Sequence, residues 1–181
     1  DETALAEAEI EYKDVPCKSI FVKFAVTDDK GVITKLLGTK ENVYFVIWTT
    51  TTWTIPGNLA ISLNPNFEYD FVKVPNGEIY DLDLIKTKHP LFDRDSLVIT
   101  GDHVTLDAGT GCVHTAPGFG ADDFIVCQRY NIPIIVPVDG KGRHTAESGK
   151  YEGMFVDDSN EVILKDLDDC GALLATEDIV H

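Results

Sequence analysis

The chain has 181 residues, enough to bury a sizeable core as one domain, and its 31 acidic against 15 basic side chains give a formal net charge of −16. That balance argues against a protein that holds nucleic acid unaided, because phosphate contacts supply most of the affinity in such proteins and leave a basic footprint. Apolar residues at 44% and charged residues at 25% are ordinary for a soluble globular protein, no apolar run is long enough to span a bilayer, and the start lacks a signal-peptide pattern.

In chain order, residues 1–12 are rich in Ala and Glu and read as a short helix or a connecting arm. The chain opens on Asp1 and its only methionine is Met154, so it reads as a piece of something longer. Residues 19–26, S-I-F-V-K-F-A-V, read as a strand that turns at Asp28-Asp29-Lys30-Gly31. Residues 44–54 are dense in β-branched and aromatic side chains and are expected to form one strand. Pro56-Gly57 should stop it in a type II turn. Short strands are expected at 69–74, 96–100 and 111–114, separated by turns at Pro75-Asn76-Gly77 and Asp107-Ala108-Gly109. Residues 121–130 have helical composition with acids in the first turn. The proline-rich run 132–138 suits an edge strand or an extended segment. A last helix is expected with Asp158 as cap, Glu161 as its capping-box partner and Gly171 as its stop. Short strands with a few scattered helices point to an α+β fold, a β-barrel-like core with peripheral helices.

Two segments carry candidate chemistry. In Y-F-V-I-W-T-T-T-T-W-T-I-P-G-N, residues 44–58, a strand would place Thr50, Thr52 and Thr54 on one face and Thr49, Thr51 and Trp53 on the other. A threonine row can hold a ribose, a phosphate or an ordered water, although threonine also favours strands for its shape alone. Trp48 and Trp53 can wall a pocket or stack on a base.

The second segment, A-G-T-G-C-V-H-T-A-P-G-F-G-A-D-D-F, residues 108–124, fits neither a Walker A loop nor a dinucleotide fingerprint. Its glycines and Pro117 imply tight turns that bring His114 toward a helix start. Asp122 and Asp123 would point about 100° apart on that helix, so one can cap it and the other can hold a cation. Cys112 and His114 would share a strand face, but a nucleophile pair also needs an orienting partner that the sequence does not supply. His89, His103, His144 and His181 lack metal-ligand spacing and read as solvated. The four cysteines (Cys17, Cys112, Cys127, Cys170) lie far apart, as reduced thiols do, so neither a disulfide framework nor a metal site is expected.

These segments resemble the editing (CP1) domain of bacterial-type isoleucyl-tRNA synthetases. That family carries W-T-T-T-P-W-T-x-P-x-N and, further on, G-T-G-x-V-H-T-A-P-G-x-G-x-x-D. Here they stand as W-T-T-T-T-W-T-I-P-G-N (48–58) and G-T-G-C-V-H-T-A-P-G-F-G-A-D-D (109–123). The flanks A-L-A-E-A-E-I-E-Y, V-P-V-D-G-K-G-R-H-T and Y-E-G-M-F agree, so the likeness covers essentially residues 1–181 as one editing domain of a larger synthetase. The T-T-R-P stretch of the valyl and leucyl relatives is missing. Thr52 stands where proline is usual, Phe119 where histidine is frequent, and His144 where phenylalanine is frequent. Loss of the fixed φ at residue 52 is expected to relax the strand end beside the site.

The resemblance implies hydrolysis of valine wrongly attached to tRNA(Ile), and of valyl-adenylate, with the rest of the synthetase chain holding most of the tRNA. It implies that Asp123 binds the α-ammonium of the amino acid and that Thr49, Thr50 and Thr51 line the site of the terminal adenosine and the attacking water. Thr54 and His114 would face the amino-acid side chain, His114 limiting its size, with Trp53 and Asn58 supporting the pocket. No metal, cofactor or covalent nucleophile is implied. A monomeric cytoplasmic protein with no membrane partner is expected, without the H-I-G-H and K-M-S-K-S signatures of amino-acid activation. A module that only docks the tRNA acceptor end is the alternative; weak tRNA binding fits both, since Arg129, Lys141, Arg143 and Lys150 are the nearest basic cluster.

Overall fold

The structure, a computed structural model, describes residues 16–69, 82–107 and 109–180. The expected arm at 1–12, the strand beyond Tyr69, the Pro75-Asn76-Gly77 turn, Ala108 and His181 lie outside the described residues.

β1 (Pro16–Asp28) is the long strand around which the sheet is built. Its alternation puts Ile20, Val22, Phe24 and Val26 into the core. Residues 20–25 pair antiparallel with β2 (Tyr44–Thr49) on one edge. The other edge pairs with β7 (Leu173–Val180) along 16–22, and then with β4 (Lys86–Lys88) along 25–28. With β3 (Ala60–Leu63), β5 (Asp95–Thr100) and β6 (Val113–Thr115), the order β2-β6-β3-β5-β4-β1, with β1 also on β2, closes six strands into a ring and leaves β7 as a seventh beside β1. The barrel-like core read from the sequence is therefore present. Closure removes the free edges that so many short strands would otherwise expose.

β3 (Ala60–Leu63) is buried along its whole length because it is covered on both faces. Ile61 and Leu63 join the barrel core with Val98 of β5 (Asp95–Thr100), whereas Ala60 and Ile99 pack outward against Val126 and Cys127 of α2 (Ala121–Arg129). α3 (Val156–Asp169) buries Ile163 and Leu167, one turn apart, in the main core. It stops where expected: Gly171 takes φ +72° and the Ala172 N–H returns to the Leu167 carbonyl at 2.9 Å.

Several expectations fail for local reasons. α3 begins at Val156 with Phe155 in the cap position, so Asp158 lies in its first turn and forms no capping box with Glu161. α1 (Val32–Leu37) is an element with no counterpart among the sequence expectations; it follows a turn in which the Asp29 carboxylate takes the N–H groups of Gly31 and Thr34. Of the two forms expected for the proline-rich run 132–138, no edge strand appears: the run is an irregular segment with one isolated bridge, Val138–His144, and it is tied down where the Pro137 carbonyl accepts the Thr145 N–H at 3.0 Å and the Ser148 hydroxyl at 2.7 Å. His89 and His144 are buried, not solvated.

The largest correction concerns the threonines. β2 ends at Thr49, and Thr52–Gly57 forms a 3₁₀ helix with Pro56 inside it instead of in a type II turn. The Thr49 hydroxyl accepts the Thr51 N–H at 3.1 Å and the Thr51 carbonyl accepts the Thr54 N–H at 3.2 Å. These local bonds replace the ladder, as threonine hydroxyls can. The two-faced threonine strand is therefore not what forms.

Candidate functional site

The two signature segments meet because β6 (Val113–Thr115) lies between β2 and β3. Trp48 pairs with Val113 and Ile61 with His114. The 3₁₀ helix crosses the end of this strand trio and carries Thr54 and Asn58 toward His114.

A directional chain of hydrogen bonds follows. Asn58 Nδ2 donates to the Ala60 carbonyl at 2.9 Å, which fixes the orientation of the carboxamide. The same nitrogen lies 2.8 Å from His114 Nδ1, so that ring nitrogen accepts and carries no proton. Nε2 then bears the proton and donates to Thr54 Oγ1 at 3.0 Å. Thr54 passes its own proton to the Thr51 carbonyl at 2.7 Å, and Ser96 Oγ donates to Asn58 Oδ1 at 2.7 Å. His114 is thus a neutral imidazole. Burial pushes its pKa down to about 4, and a proton on Nδ1 would face the Asn58 amide protons. Thr54 keeps one lone pair, so it can offer an acceptor to a ligand but no proton.

Asp123 sits in the first turn of α2, where its Oδ2 accepts the Ala116 N–H at 2.8 Å. That bond ties the helix start to the loop just after His114. Burial raises the Asp123 pKa, opposed by the Ala116 bond and by nearby His103. Its Oδ1 has no hydrogen-bond partner among the described residues, and Asp122 is exposed. Thr50 is half-buried at the strand end. Trp53 packs edge-on to Phe119 with ring centroids 5.1 Å apart, and its backbone N–H is taken by Asn160 Oδ1 at 3.0 Å.

Thr51, Thr54, Asn58 and His114 therefore share one network, with Thr49 one bond away through the Thr51 N–H. Asp123 reaches the same loop through Ala116, and no hydrogen bond joins it to the threonines. Thr52 is buried at the start of the 3₁₀ helix, beyond the strand end that its loss of proline was expected to relax. Cys112 is no nucleophile partner for His114: both ring nitrogens are engaged, and burial pushes the thiol up to about 11. Among the described residues no cluster of three His, Cys, Asp or Glu side chains is placed to hold a metal ion.

No family model matches the chain. It is 52% identical to the isoleucine–tRNA ligase of Caldicellulosiruptor saccharolyticus and 53% identical to that of Caldicellulosiruptor bescii, in each case over 99% of this chain. The Lactobacillus acidophilus ligase is 46% identical over the same share. The fold superposes on the crystal structure of GlLeuRS-CP1 with TM-score 0.66, covering 88% of this chain and 98% of that one at 14% identity. The chain is a CP1-type domain of the isoleucine–tRNA ligase family. It spans 22% of the length of these ligases.

The hydrogen-bond network around Asn58 and Trp53 also draws on residues outside both signature segments. Ser96 and Arg94 reach Asn58 from the β4–β5 hairpin, His89 reaches the Ile55 carbonyl, and Asn160 reaches Trp53 from α3. Nothing in their local sequence marks them, since each contact spans at least 34 positions of chain.

Proposed function

We propose that this CP1 domain hydrolyses the ester joining valine to tRNA(Ile), and valyl-adenylate, so that valine does not enter proteins at isoleucine positions. The observation that carries this reading is the Thr51–Thr54–His114–Asn58 network, which joins the two editing-type signatures into one polar site with a neutral, immobilised imidazole. Asp123, half-buried with one oxygen unshared, is suited to the α-ammonium of an aminoacyl ester. That contact would fix the position of the scissile carbonyl. Thr49, Thr50 and Thr51 would line the place of the terminal adenosine and the water. Trp53 and Asn58 would support the pocket, and Thr54 and His114 would bound the side chain. No covalent intermediate is required: an ester is already activated, and holding water and carbonyl in line supplies the acceleration.

A second site has a thermodynamic purpose. One methylene is worth only about 1–3 kcal/mol to a binding pocket, a known feature of isoleucine selection. A smaller pocket that admits valine and excludes isoleucine by overlap removes the remaining errors.

The proposed partners are the 3′ end of tRNA(Ile) and the rest of the ligase, with residues 1–181 acting as one monomeric unit in the cytoplasm. With a net charge of −16, and with Lys150 and Arg143 already bonded to Asp166 and the Gly153 carbonyl, most tRNA affinity has to come from elsewhere. Among the described residues no helix is long and apolar enough to cross a membrane. The test is deacylation of valyl-tRNA(Ile) by this chain at high protein concentration and low salt, with isoleucyl-tRNA(Ile) as control. Selective loss of valine supports the reading. A folded chain that binds the acceptor end and hydrolyses neither ester, alone or within the ligase, would be a docking module instead.

A further inference from the structure

Between Ile55 and Asn58 the 3₁₀ helix and its C-cap residue present four acceptors that three residues of the β4–β5 hairpin take up. His89 Nε2 donates to the Ile55 carbonyl at 3.0 Å; its Nδ1 accepts the Leu91 N–H, so the proton position is settled. Arg94 donates through Nη2 to the Pro56 carbonyl and through Nε to the Asn58 carbonyl at 3.2 Å. Ser96, fully buried, donates its one hydroxyl proton to Asn58 Oδ1. The terminal carbonyls of a short helix lack partners within the helix, and here a neighbouring hairpin supplies them.

Arg94 makes no ion pair among the described residues. Its half-buried guanidinium lies over the Phe92 ring, 4.6 Å from the centroid. A cation held this way supplies direction through its fixed fork of N–H groups, not charge neutralisation.

We infer that Arg94 and Ser96 are positioning residues of the site: they hold the Asn58 backbone and carboxamide and so select the tautomer of His114. The alternative setting is discrete. With the Asn58 amide turned over, its oxygen would face His114 Nδ1, the ring proton would move to Nδ1, and Nε2 would take the Thr54 proton. The Thr51 carbonyl would then lose its hydroxyl donor. Ala60 as acceptor and Ser96 as donor both favour the observed setting, and Arg94 keeps the amide within reach of both. The consequence for catalysis rests on the proposed editing role; the geometry does not.

The test is nitrogen-15 NMR of the His114 imidazole in the 181-residue chain, combined with valyl-tRNA(Ile) deacylation. The parent should show an unprotonated Nδ1 and a protonated Nε2. In Ser96→Ala the two nitrogen shifts should converge as the tautomers mix, with kcat lower by about tenfold or more and KM within about twofold. Arg94→Ala should behave alike and recover on addition of guanidinium ion, which a general packing defect would not do. Where the alanine variant does not fold, Ser96→Cys carries the same readout, with displaced nitrogen shifts as support. Parent-like His114 shifts in the folded variants would overturn the assignment. Displaced shifts in a chain whose parent never deacylates would leave the positioning role standing and remove the editing role.

Discussion

Asn58 and His114 face each other nitrogen to nitrogen, Nδ2 to Nδ1 at 2.8 Å, a contact that only a neutral imidazole can accept. Because the Ala60 carbonyl fixes which end of the carboxamide points at the ring, every proton from Ser96 to the Thr51 carbonyl has one place to be. The site is therefore polar without being charged at its centre, and the Asp123 carboxylate is held apart on α2.

Asn58→Asp tests this directly. A carboxylate would replace the donor facing Nδ1 and would set a negative oxygen against the Ala60 carbonyl. The His114 pKa is expected to rise well above its present value of about 4, since an adjacent opposite charge favours the imidazolium. Deacylation should fall by about a hundredfold. A histidine titration followed by NMR would check the first effect, and a His114 pKa unchanged in this variant would count against the contact.

For Asp123 the two substitutions separate charge from capping. Asp123→Asn keeps an oxygen for the Ala116 N–H and should retain parent stability in urea while losing deacylation. Asp123→Ala loses that bond as well and should cost a further 1 kcal/mol or so. Single-turnover deacylation and urea unfolding of both variants supply the measurement; parent-like activity in Asp123→Asn would exclude an ammonium-binding role.

The strands at 19–26 and 96–100, the helix at 121–130 and the Gly171 stop were legible because local periodicity and turn chemistry agree there with the tertiary outcome. The threonine segment was not: β-propensity pointed to a long strand, and the winning terms were hydroxyl–backbone bonds at Thr49 and Thr51 together with caps delivered from Asn160 and Arg94. Thr54, Asn58 and His114 were named because they fall in recognisable signatures. Ser96 and Arg94 were invisible for the opposite reason, since their roles exist only once β5 is laid beside β3. The burial of His89 and His144 is not legible in sequence because spacing reports metal ligation, not burial; each is held by one local and one longer-range hydrogen bond, His144 between Ser148 and Ser159 at 2.8 Å and His89 between the Leu91 N–H and the Ile55 carbonyl at 3.0 Å.

Neutral histidines withdrawn from water contribute to the pH dependence of stability. Burial pushes His89 down to about 3 and His114 to about 4, from a usual 6.5 in the unfolded chain. Between 6.5 and these values the unfolded chain binds protons that the native one does not. Stability therefore rises with pH across that window and is lost as pH falls through it, by on the order of a few kcal/mol in total. Urea midpoints at pH values of about 7, 5.5 and 4.5 should decline steadily. A flat profile there would mean that the imidazoles are not held neutral.

Gly118 is a position where space decides. A Cβ there would lie 2.2 Å from the Ile135 carbonyl oxygen and 3.2 Å from Val136 Cα, both backbone atoms that cannot swing aside. Gly118→Ala should destabilise by about 1–3 kcal/mol and lower activity, because the displaced loop joins His114 to Asp123. Thermal unfolding alongside deacylation would show both effects together; loss of neither would mean that residues 132–138 yield freely.

His114→Ala bears on specificity. The proposed stop against isoleucine is the ring itself, which cannot retreat because Asn58 and Thr54 hold both of its nitrogens. Truncation removes the wall and also frees the Thr54 hydroxyl, so two consequences are expected together. Isoleucyl-tRNA(Ile) should become a substrate, narrowing the preference for valine by roughly tenfold or more, in line with what one methylene is worth. Valyl-tRNA(Ile) hydrolysis should fall modestly, through the loosened threonine. His114→Gln refills part of the space and can still reach Thr54, so it should restore valine hydrolysis more than isoleucine rejection. Measuring kcat/KM for both esters in both variants resolves the two roles. Unchanged rejection of isoleucine in His114→Ala would assign the size limit to another wall of the pocket, and Trp53 would be the next residue to truncate.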